Sequence, residues 1–76
     1  MIEAKTVEEE KLVFLSFCLE EYKTVRGMEG AAAARLFDKF GVTDYLTEHF
    51  DVLHTLSRAA LLDDIGRFIE ARRHKK

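Results

Sequence analysis

The stretch Thr6-Val-Glu-Glu-Glu-Lys-Leu-Val-Phe-Leu-Ser-Phe-Cys-Leu-Glu-Glu-Tyr-Lys-Thr-Val-Arg-Gly27 decides the fold. Thr6, with Glu9 three residues later, forms a capping box, in which each side chain satisfies a free backbone N–H at a helix start. Glu8, Glu9 and Glu10 favour the positive end of the helix dipole, and Gly27 supplies the stop. The spacing predicts a helix over Val7–Arg26. Stepping ~100° per residue, Leu12, Phe14, Leu15, Phe17, Cys18, Leu19, Tyr22 and Val25 spread over about 220° of its circumference. Val13 lies beyond that arc, beside Glu20 and Thr24. An ordinary surface helix needs an apolar stripe only a little wider than ~100°. The excess has two readings, which can hold together. In one, this helix is central and the others wrap around it. In the other, Val13, Phe17 and Phe14 stay exposed as a dimer or partner surface.

Downstream, a second helix is expected over about Glu29 to Phe40, closed by Gly41. Ala31 to Ala34 raise its helix propensity, and Ala33, Leu36, Phe37 and Phe40 fall on one face. A short third helix is expected after Thr43 as N-cap, carrying Tyr45, Leu46, His49 and Phe50. Asp51-Val-Leu-His-Thr55 reads as a helical turn or bend. A fourth helix is expected from Ser57, with Leu56 and Leu61 at the two positions of a hydrophobic staple. Leu61, Leu62, Ile65, Phe68 and Ile69 make its apolar stripe, and Asp63 to Arg67 is a stabilising i, i+4 pair on the other side. No period-two alternation or hairpin dipeptide supports a strand. The expected fold class is all-α, a small bundle of three longer helices and one short helix. It forms a single domain over residues 1–76, with 1–5 and 73–76 as frayed tails.

Size and composition narrow the function. A chain of 76 residues holds one domain. At this length one core seldom supplies more than ~3–5 kcal/mol, so a homo-oligomer or a complex with another small protein is expected. The lone Cys18 cannot form an internal disulfide, and its apolar and acidic neighbours give no setting for a reactive thiolate. The longest apolar run falls short of the ~20 residues of a membrane span. The acidic N-terminus is unlike a secretion signal, so a cytoplasmic address is expected.

Little in the sequence points to catalysis. Asp63 and Asp64 are adjacent, and neighbours on a helix point ~100° apart, so they do not share one substrate site. His49 and His54 are five apart with Asp51 between them, not the i, i+4 spacing that stacks two imidazoles on one helix face; a metal site would need the chain to fold back. His54, at a junction with Thr55 and Ser57, is expected to be structural, a ring N–H bonded to a backbone carbonyl near the start of helix four. Gly27-Met-Glu-Gly30 lacks the spacing and the Lys of a phosphate loop. No enzyme, cofactor, metal or small-molecule substrate is expected.

Charge is uneven although the net is only −2. Residues 1–30 hold seven acids and four bases, whereas residues 57–76 hold three acids and six bases. The Arg72-Arg-His-Lys-Lys76 tail could serve a small nucleic-acid-binding regulator. The acidic balance opposes this, as does a third helix, Asp44 to Phe50, with no Arg or Lys to read a duplex.

These residues together resemble a known family. Phe17-Cys18-x-Glu20, Leu36-Phe-x-x-Phe-Gly41, Tyr45-Leu-x-x-x-Phe-Asp-Val-Leu-His-Thr55 and Asp63-Asp-Ile65 are similar to short bacterial proteins of domain-of-unknown-function family 3791. The similarity runs from about Lys11 to Ile69, and the Asp51–Thr55 stretch is its most specific part. The Ala31–Ala34 run and the basic tail lie outside the family's pattern. The resemblance implies a helical fold, a bacterial source and work in a protein complex, with no catalytic residues to carry over. The expectation is a protein–protein interaction module, an antitoxin-like or regulatory partner.

Overall fold

The computed structural model describes residues 6–73. The chain runs through α1 (Val7–Arg26), α2 (Gly30–Phe40), α3 (Val42–Glu48), a single turn α4 (Phe50–Leu53) and α5 (Arg58–Arg73). No strand occurs among the described residues, and no described helix is long and apolar enough to cross a membrane.

Local chemistry sets the ends of α1. Thr6 Oγ1 accepts from Glu9 N at 3.1 Å, and Thr6 N donates to Glu9 Oε1 at 3.0 Å. At the other end Gly27 takes φ 64°, a conformation that costs a residue with a Cβ ~1–2 kcal/mol. Its N–H reaches Thr24 O at 3.2 Å while Met28 N reaches Lys23 O at 2.9 Å, so two otherwise orphaned carbonyls are satisfied. Gly41, at φ 71°, closes α2 in the same way.

Gly41 also corrects one expectation. Thr43 is not the N-cap of α3: the helix begins at Val42, and Gly41 O already accepts from Tyr45 N at 3.1 Å. A left-handed glycine reverses the chain within one residue, and the pull of Val42 into the core leaves no linker. Thr43 lends only its carbonyl, to Thr47 Oγ1 at 2.8 Å. The helix expected to carry both His49 and Phe50 is interrupted at His49 (φ −107°, ψ 25°), and Phe50 opens α4. Ser57 precedes α5 and caps it, its Oγ accepting from Ala60 N at 3.2 Å. Arg73, expected in the frayed tail, is the last residue of α5; residues 1–5 and 74–76 lie outside the described residues.

The core collects Cys18 and Tyr22 from α1, Ala33 and Phe37 from α2, Val42 and Leu46 from α3, Phe50 and Leu53 from α4, and Leu61, Ile65 and Ile69 from α5. The expected faces of α2 and α5 are the ones that turn inward. α1 is central only on its inward side. That helix packs on α2, α3 and α5, yet only Cys18 and Tyr22 of its 20 residues are buried. The short α3 sits deeper, with Val42 and Leu46 both fully inaccessible.

Aromatic and ionic contacts fasten the ends of the core. Tyr22 packs on Phe37 with centroids 5.6 Å apart, and Tyr45 stacks on Phe68 at 4.1 Å. Arg58 pairs with Glu21, joining the start of α5 to α1. Gly66 lets Arg26 cross α5 closely, for a Cβ there would stand 3.4 Å from Arg26 Nη2.

Candidate functional site

The wide apolar arc of α1 is only partly covered. Its inward side holds Cys18 and Tyr22, with Phe14, Leu15 and Leu19 half-buried. On the far side Val13 keeps 53% of its surface exposed and Phe17 42%. Leu12, Val25 and Val7 are exposed as well. Val13 and Phe17 are one turn apart and point the same way. Phe14, half-buried, sits between them and the core.

A second element completes a groove. Phe14 meets Phe50 of α4 edge-on, with centroids 5.4 Å apart and planes at 77°. His54 stacks on Phe50 at 4.4 Å and 11°. Val13, Phe14, Phe17, Phe50 and His54, with Glu10 at the rim, line an open groove of about 490 Å³. The reading from the sequence included the α1 half of this wall. It missed the α4 half, where Phe50 and Leu53 turn inward and Val52 is left outside. The spacing of Phe50 and Leu53 was the available signal, although a four-residue helix gives too few positions to define a face.

The junction residues hold the α4 wall in place. His54 Nδ1 lies 2.6 Å from Phe50 O; a carbonyl only accepts, so Nδ1 carries the proton in this contact. The acceptor belongs to the start of α4, not to α5. Thr55 Oγ1 donates to Val52 O at 2.7 Å, closing the same turn. Ser57 then starts α5.

Other candidate groups have structural roles. Asp63 pairs with Arg67 across one turn at 2.5 Å. Asp64 accepts from the Tyr45 hydroxyl at 2.7 Å. Burial, together with this bond and the carboxylate's charge, pushes the Tyr45 phenol up to about 12. Burial alone pushes the Cys18 thiol up to about 12 as well, far from a nucleophile's range. Among the described residues, no three His, Cys, Asp or Glu side chains gather as a metal site.

Among the described residues, two arginines near the C-terminus rest on aromatic rings, and the short α3 carries no base. The charged side chains of α3 are Asp44 and Glu48, both acidic. Arg72 lies over the Phe68 ring at 4.5 Å, and Arg73 lies over Phe40 at 5.6 Å while pairing with Glu70 at 3.3 Å.

Fold and site thus define a small all-helical domain whose longest helix leaves an apolar face open beside a one-turn wall. The chain belongs to the family described as protein of unknown function (DUF3791), whose pattern matches residues 13–72. That span holds Val13, Phe14, Phe17, Phe50 and His54. No curated protein and no solved structure matches the chain.

Proposed function

We propose that this protein is a protein–protein interaction module that docks through the outer face of α1. The observation that carries the reading is the exposure of Val13 and Phe17 over a groove floored by the Phe14–Phe50 pair. Burying the exposed half of these two side chains is worth roughly 1.5–3 kcal/mol, since full burial of such a group gives ~1.5–3 kcal/mol. That suits the anchoring centre of an interface, whose full extent is typically ~800 Å² per partner.

The test is Phe17→Glu. Because Phe17 lies outside the core, the variant keeps its helical circular dichroism and melting cooperativity. It loses association, measured by light scattering for a self-complex and by co-purification from the native host for another partner. A wild-type protein that is strictly monomeric and captures nothing in the host removes the main support for this reading.

A further inference from the structure

We infer that the occupant of the α1–α4 groove is a basic amphipathic helix of a different protein, with apolar anchors about one turn apart flanked by Lys or Arg. The inference rests on the interaction reading and adds what the partner must look like. Shape supplies the first half. The groove runs beside one turn of α1, is open to solvent and has an aromatic floor of Phe14 and Phe50. A helix presenting side chains at i and i+4 would fit Val13 and Phe17 in that setting.

Charge supplies the second half. Stepping ~100° per residue, the outer arc of α1 carries Glu9, Glu10, Val13, Ser16, Phe17, Glu20 and Thr24 over about 120°. It holds three acids, of which Glu20 is paired with Lys23 and Glu10 lines the groove itself, and no base. Asp51, next in sequence to the groove residue Phe50, is also exposed, although it is not among the residues that line the groove. The bases nearby are turned away or taken: Lys11 projects toward the covered side of α1, Lys23 pairs with Glu20 at 3.1 Å, and Arg58 pairs with Glu21. An apolar strip with an acidic rim selects a partner with the opposite rim.

The same pattern disfavours a second copy. In an antiparallel pairing centred on Phe17, Val13 would face Glu21 and Phe14 would face Glu20 of the other chain. In a parallel pairing, Glu10 and Glu20 would each face themselves. The parallel arrangement sets like charges across the interface, where they repel, and the antiparallel one sets carboxylates against apolar side chains.

The full chain is titrated against two fluorescein-labelled synthetic helices of about 18 residues, long enough to be helical on binding. Both carry the same Leu stripe at i, i+3, i+4 and i+7; one has Lys and the other Glu on the flanks. Anisotropy gives the affinity, and amide-resolved NMR locates the contact. The Lys helix is expected to bind at least about tenfold tighter than the Glu helix, with a preference that shrinks as salt rises. Shifts should fall on α1 and α4. Glu10→Lys with Asp51→Lys, both exposed, should reverse the preference. Equal binding of the two helices, or binding of neither, overturns the inference. If neither binds while the wild type self-associates and Phe17→Glu does not, the occupant is a second copy; the interaction reading then stands and this one falls. Lys-helix binding that Phe17→Ser leaves unchanged, with shifts away from α1 and α4, ends both.

Discussion

Replacing Tyr45 by Phe removes one oxygen and leaves the ring stacked on Phe68, so it isolates the hydrogen bond that ties α3 to α5. The bond is 2.7 Å long, and its acceptor is the Asp64 carboxylate. A hydrogen bond to a charged group contributes ~1.5–3 kcal/mol net when water is excluded. Asp64 is half-buried, so water can take over part of the lost donor, and about 1–1.5 kcal/mol is expected. In a domain of this size that corresponds to a fall in Tm of roughly 5–10 °C. The raised phenol adds a pH signature. The folded value of about 12 lies above the ordinary 10, so the contribution is whole below pH 10 and is lost as pH rises through 12. The full shift is equivalent to about 2.7 kcal/mol, reduced to about half because the ring is partly open to solvent. Urea unfolding followed by circular dichroism at several pH values measures both effects. The wild type should lose stability between pH 10 and 12 more steeply than Tyr45→Phe. A double-mutant cycle with Asp64→Ala should give a coupling of about 1 kcal/mol. A variant as stable as the wild type, or stability curves that run parallel through that pH range, would refute the reasoning.

Gly66→Ala is expected to stabilise the fold by about 0.5–1 kcal/mol, because helix propensity improves and only the mobile end of Arg26 must move. Gly41→Ala should instead cost about 1–2 kcal/mol through its left-handed backbone; thermal melts of the two variants should move in opposite directions. Cys18, fully buried and with its thiol pushed up to about 12, should resist a thiol reagent at pH 8 until urea unfolds the chain. Reaction at the rate of a free thiol in the native state would contradict that burial. Ser57→Ala should cost about 1 kcal/mol by removing the side-chain cap of α5, and a chemical-denaturation midpoint equal to the wild type would show that the cap contributes nothing.

Legibility in the sequence followed the range of the forces involved. The Thr6–Glu9 box, the Gly27 and Gly41 stops and the Ser57 cap are satisfied by neighbours within a few residues, and each stands where the spacing placed it. The start of α3 did not, because burial of Val42 outweighed the capping preference of Thr43. Partners distant along the chain were out of reach altogether. Nothing local links Tyr45 to Asp64, 19 positions apart, or Glu21 to Arg58, 37 apart.

The open face of α1 divides along the same line. The sequence by itself determined that this helix carries more apolar surface than one stripe can use, since the angular width of a face depends only on residue order and ~100° steps. Which part stays uncovered was decided by tertiary structure. The packing of α2, α3 and α5 on one side buries Cys18 and Tyr22 and leaves Val13 and Phe17 outside. The break at His49 then swings Phe50 and His54 alongside Phe14, converting an exposed stripe into a walled groove. Periodicity measures how wide a face is; only the placement of distant helices selects the side that is left open.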